Sequence, residues 1–86
     1  MLSHTTERFR KAYQKLPEDV KKQAKKAYQL WSKDPLHPSL HFKQVHSTEP
    51  IYSVRIGLKW RALGIRQGND LIWFWIGSHE DYNELV

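Results

Sequence analysis

The sequence predicts an α+β fold: an N-terminal helical hairpin packed on a small antiparallel sheet of three to four strands, with a short C-terminal helix. Three observations carry this. Up to residue 34 the apolar residues recur at helical spacing, with prolines at positions 17 and 35 as breaks. From Ile51 onward the pattern changes to alternation and apolar runs around the turn "QGND". The chain then closes on "HEDYNELV", polar enough and long enough for one or two helical turns. A length of 86 residues makes one domain over 1–86, and four tryptophans supply much apolar area per residue for a small core.

The first helix is expected over residues 5–16, where Phe9, Ala12, Tyr13 and Leu16 share a face and Thr5 or Thr6 can cap the start. Pro17 breaks it and opens a second helix, "PEDVKKQAKKAYQLW". There Glu18 and Asp19 suit the N-terminal dipole, and Val20, Ala24, Ala27 and Trp31 form the apolar stripe. Pro35 ends this helix, because the residue before a proline is pushed out of helical geometry. The short link at Pro17 folds the two helices back on each other. In "PLHPSLHFKQVHSTEP" residues Leu40 to Val45 are a candidate short strand. "IYSVRIGL" alternates, with Tyr52, Val54 and Ile56 on one face, and "WRALGIRQ" and "DLIWFWIG" follow as a meander around Gly68-Asn69. The last strand is apolar on both faces and should be central or covered on both sides. "MLSH" is short and polar for a further strand.

Composition narrows function. The chain has no cysteine, so disulfides and thiolate metal sites are excluded. No apolar run approaches a membrane span, and the first ten residues hold no apolar signal core, which points to a cytoplasmic protein with no membrane role. The formal net charge is +5, and nine of the 14 basic residues lie in the first 34 positions against four acidic ones. Such an excess attracts polyanions or an acidic protein partner, although lysines on a helix are more often only a solvated face. His37, His41 and His46 lack the carboxylates and helical spacing of a metal site, and four scattered glycines make no phosphate loop.

Pairing arithmetic locates a candidate site. If Gly68-Asn69 is a two-residue turn, opposed positions sum to 137, and Arg61 faces Ile76, three residues before His79. A three-residue turn over Gly57–Lys59 sets Arg55 directly against Arg61, whereas a two-residue turn sends Arg55 to the opposite face. Two arginines opposed on one face repel unless an anion lies between them, so the first arrangement suits a phosphate. Arg61 in a strand would otherwise pair with Glu80 or Asp81, and His79 would otherwise be a cap or a packing residue. Arg61, His79 and Tyr82 together supply a cation, a proton-transfer group near neutrality, and a ring that can donate a hydrogen bond or stack a base.

The ordered set "LHFKQV", "YSVRI…WRALGIR…GNDLIWFWIGSHEDY" after a basic helical hairpin resembles the RelE/ParE superfamily of bacterial type II toxins over nearly the whole chain. The resemblance implies an mRNA interferase, a metal-independent endoribonuclease without cofactor that cuts messenger RNA, in some members on the ribosome, by 2′-hydroxyl attack on the adjacent phosphate. It also implies a small acidic antitoxin as partner. Carried onto this sequence, His79 serves in proton transfer, Arg61 stabilises the phosphate and Tyr82 orients the substrate. Lys43, Arg55 and Lys59 hold the RNA backbone. The interval between Arg55 and Arg61 is one residue longer than the family pattern, and "MLSH" is short and polar for the first strand with which family members usually begin, so that strand is expected to be either lost or vestigial. The superfamily also contains toxins that bind DNA gyrase and cut no RNA, and a basic RNA- or protein-binding module is the third reading.

Overall fold

The computed structural model describes residues 2–85. It has three α-helices and one five-stranded sheet in the order β1-β5-β4-β3-β2. The strands are β1 (Leu2–Thr5), β2 (Lys43–Gln44), β3 (Ile51–Ile56), β4 (Trp60–Gln67) and β5 (Asp70–Ser78). The helices are α1 (Glu7–Gln14), α2 (Glu18–Lys33) and α3 (His79–Leu85). The α+β class, the N-terminal hairpin, the meander and the terminal helix are as the sequence predicts. The sheet is larger than expected and mixed, because β1 adds to its edge in parallel with β5. β1 is held by ladder bonds and by Thr6 N–H donating to the Trp73 carbonyl (3.1 Å), while its Leu2 stays 66% exposed. A strand held by its backbone leaves no burial pattern in the sequence.

Thr6 is the cap of α1, its Oγ1 accepting from Phe9 N–H at 3.1 Å, so Thr5 is left to the strand. Pro17 stands at the N-cap of α2, and the Tyr13 hydroxyl donates to the Lys21 carbonyl (3.4 Å), tying the two helices near their link. Trp31 is the hub of the core. It meets Trp73 edge-on at 5.3 Å and Phe42 edge-on at 5.8 Å, and stacks on Tyr28 at 6.2 Å. Such pairs add about 0.5–1.5 kcal/mol each beyond the area they bury. Val54, Ile56, Ala62, Leu71 and Ile76 complete the sheet's share of this core, on the face the helices cover.

The β4–β5 hairpin begins as the arithmetic requires: Gln67 pairs with Asp70, and the sum of 137 holds to Gly64 and Trp73. A bulge then inserts Phe74, so Leu63 pairs with Trp75 and Arg61 with Gly77 rather than Ile76. The bulge exchanges the two faces beyond this point. It keeps Trp73 and Ile76 both against the helices, and it leaves Arg61 on the sheet's other face. The β3–β4 turn covers Gly57–Lys59, three residues, with Ile56 paired to Trp60 and Arg55 paired to Arg61.

Candidate phosphate-binding site on the open sheet face

The face turned away from α1 and α2 carries an apolar row, Ile51, Ile65 and Ile72, and two further rows of cross-strand neighbours. One row runs Lys43, Ser53, Leu63, Trp75, and the next runs Arg55, Arg61, Gly77. Gly77 is required here: a Cβ on it would lie 2.6 Å from the Trp75 ring, which folds back over this position. Beyond Gly77 the chain turns into α3. Ser78 Oγ accepts from Asp81 N–H at 3.1 Å as a helix cap, and His79 N–H donates to the Lys59 carbonyl at 2.7 Å. The first residue of α3 is thus fixed to the β3–β4 turn.

These constraints bring three of the expected residues together. Arg61 Nε–H donates to His79 Nδ1 at 3.0 Å. The Arg61 guanidinium carbon lies 5.1 Å from the centre of the Tyr82 ring, and the His79 and Tyr82 rings stack at 6.0 Å with 20° between their planes. Tyr82 is buried, so its ring is a platform under the other two. Since guanidinium has no acceptor, His79 must offer a lone pair at Nδ1. The ring in this arrangement is therefore neutral, with its proton on Nε2. Arg61 makes no ion pair with Glu80 or Asp81, and its Nη1 is buried without a hydrogen-bond partner among the described residues. A half-buried cation whose neighbours are a neutral imidazole and a π-face is a poor resting place for charge unless an anion completes it.

The other expected residues are nearby but not gathered into that cluster. Arg55 stands directly opposite Arg61, yet its guanidinium turns the other way. Its Nε donates to the Gly57 carbonyl (3.0 Å) and its Nη1 to His41 Nε2 (3.2 Å). The paired arginines relieve their repulsion by diverging, each to a histidine. Lys43 lies exposed on the edge strand in the same face. Lys59 lies exposed in the turn, where its carbonyl is what binds His79. The contact of His41 with Arg55 is one that sequence patterns miss. Of the other histidines, His46 takes up the backbone of its own loop, with Thr48 N–H and Glu49 N–H donating to its Nδ1. Among the described residues no three His, Asp or Glu side chains gather as a metal-binding group.

The helix-covered face has a different feature. α1 and α2 splay over the sheet and leave an apolar groove of about 430 Å³ between Phe9, Tyr13, Ala24, Ala27, Trp31 and Trp73, with Arg10 and Lys25 at its lining. The buried indole N–H groups of Trp31 and Trp73 have no acceptor among the described residues.

Comparison with solved structures places this fold. The RelE chain of an antitoxin–toxin complex from Methanococcus jannaschii is similar, with a TM-score of 0.75 at 16% identity, covering 95% of this chain and 96% of that one. YafQ from E. coli strain BL21(DE3) gives a TM-score of 0.74 at 13% identity, covering 93% and 94%. The isolated E. coli RelE toxin gives 0.69 at 18% identity, covering 98% and 93%. No curated protein matches the chain at a significant level. At these identities the structures establish the fold alone. The sequence itself, over residues 18–84, matches the family model of the ParE-like toxin domain. On that match, which spans well over half of its length, the chain belongs to the ParE-like toxin domain family.

Proposed function

We propose that this protein is the toxin of a toxin–antitoxin pair and acts as a metal-independent endoribonuclease on messenger RNA. The observation that supports the activity is the Arg61–His79–Tyr82 cluster: an unpaired cation hydrogen-bonded to a neutral imidazole on the open face. In the reaction the RNA's 2′-oxygen attacks the neighbouring phosphorus and the bond from phosphorus to the 5′-oxygen breaks. One proton leaves the 2′-hydroxyl and one must reach the 5′-oxygen. Arg61 neutralises charge developing on the non-bridging oxygens, an effect worth about 10²–10³ in rate for a well-placed donor. His79 moves a proton. While Arg61 holds Nδ1, the ring has only its Nε2–H to offer. A phosphate that draws the guanidinium onto itself releases the Nδ1 lone pair, so His79 gains its basic nitrogen when substrate is present. Tyr82 orients both groups through its ring. Lys43, Arg55 and Lys59 hold the flanking backbone.

The partner is a cognate acidic antitoxin, consistent with the similar RelE chain having been solved in an antitoxin–toxin complex. Its anchor is the groove between α1 and α2, where apolar walls rimmed by Arg10 and Lys25 suit an acidic amphipathic helix. The test is induced expression in bacteria with translation and messenger RNA followed together. Growth arrest with cleaved messages, ends bearing cyclic phosphate, and rescue by an acidic reading frame beside the gene support the proposal. Growth arrest with intact messages and a DNA-damage response would instead show a gyrase-type toxin.

A further inference from the structure

A second arginine–histidine pair stands at the end of β3, on the flank where Arg55 also lines a cavity with Gln23, Lys26 and Leu30 of α2. His41 follows the 3-10 turn Pro38–Leu40 in left-handed backbone, with φ 47 and ψ 40, the one non-glycine residue at positive φ among the described residues. Glycine and asparagine are commonest at such positions, and histidine is among the few other residues enriched there. In that conformation its Nε2 accepts from Arg55 Nη1 at 3.2 Å, which leaves the ring neutral with its remaining proton on Nδ1. Arg55 is fixed a second time through Nε to the Gly57 carbonyl, and no carboxylate pairs with it. A cation held at two points, beside a neutral imidazole with one N–H to give, repeats the arrangement of Arg61 and His79.

We propose that His41 and Arg55 form a second phosphate seat, taking the phosphodiester adjacent to the one held by Arg61 and His79. The inference rests on the reading of the open face as an RNA-cleaving surface. Arg55 and Arg61 are directly paired across β3 and β4, so their Cα atoms are about 4.5–5.5 Å apart. Their guanidinium groups diverge from there towards opposite flanks, His41 on one side and α3 on the other. Cations turned to opposite flanks suit successive phosphates of an extended strand better than two oxygens of a single phosphate. Lys43, two residues beyond His41 on the edge strand, continues the positive track along the same face.

The experiment is titration of a 5′-fluorescein-labelled single-stranded RNA, read by anisotropy over a series of salt concentrations. His79→Ala protein serves as the parent, so that the strand stays intact. His41→Asn and His41→Gly both accept left-handed backbone and remove the ring. Each is expected to weaken binding by about three- to tenfold, while Arg55→Gln flattens the slope of log affinity against log salt by about 0.7, one phosphate contact on a single strand. With His79 restored, His41→Asn should raise KM for cleavage and leave kcat nearly unchanged. Parent-like affinity in both His41 variants, or an unchanged slope in Arg55→Gln, overturns the second seat. A purely structural His41 would show itself the same way, as altered thermal stability with unchanged affinity. Failure of the catalytic reading is a separate result: wild-type protein that binds the RNA but leaves it uncut defeats the nuclease assignment, and the titration still decides the seat.

Discussion

The two faces of one sheet show two ways of leaving a surface unfinished. The face under α1 and α2 is apolar, built on the Trp31–Trp73 pair, and incomplete because the helices do not close over Ala27. The opposite face sets two cations, Arg55 and Arg61, beside the apolar Ile65, Leu63 and Trp75, and is incomplete because neither cation has an anionic partner among the described residues. Apolar incompleteness calls for volume and is indifferent to orientation. Electrostatic incompleteness calls for charge at a defined place, which is why Arg61 and Arg55 are each fixed by a histidine. The first suits a protein helix and the second suits phosphate.

Breaking each face separately should therefore break different properties. The largest effect is expected from His79→Ala, which should slow RNA cleavage by about 10²–10⁴ while thermal unfolding stays near wild type, because the ring is only half-buried. Trp31→Ala does the converse. It removes the hub of the helix-covered face and should cost about 3–5 kcal/mol of unfolding free energy in a urea titration. Gly77→Ala acts where stability and site meet. The added Cβ meets the Trp75 ring at 2.6 Å, so a loss of about 1–3 kcal/mol should accompany slower cleavage as Arg61 is displaced. Ala27→Glu places a charge in the apolar groove. It should weaken antitoxin binding by about tenfold, about 1.4 kcal/mol by calorimetry, with cleavage unchanged. Tyr82→Phe should do least, within about 0.5 kcal/mol in stability and about twofold in rate, because the platform is the ring and its hydroxyl makes no hydrogen bond among the described residues.

These contrasts were unequally legible in the sequence. The hairpin turn at Gly68-Asn69 sets the register as far as Trp73, and of the two turn lengths open at Gly57–Lys59 the three-residue one opposes Arg55 and Arg61, as the structure has them. The bulge at Phe74 was not legible, because in an apolar run such as "LIWFWI" a slipped register still buries apolar side chains. β1 reads as too short and polar for a strand because backbone pairing at a sheet edge needs no apolar periodicity. The His41–Arg55 pair depends on a left-handed backbone angle and on two segments 14 residues apart in sequence, neither of which a local pattern encodes. The groove escaped for a related reason. The spacing of Val20, Ala24, Ala27 and Trp31 shows which side of α2 turns inward, but not how far α1 stands from it.

The central claim is that Arg61 and His79 act as one unit around a single phosphate. A double-mutant cycle on single-turnover cleavage tests it directly, using His79→Ala, Arg61→Gln and the double variant with one defined RNA. Coupled residues should be strongly non-additive, with the double variant no more than about threefold slower than the slower single variant. Losses that multiply across the two positions would mean that the residues act independently, and would contradict the shared site.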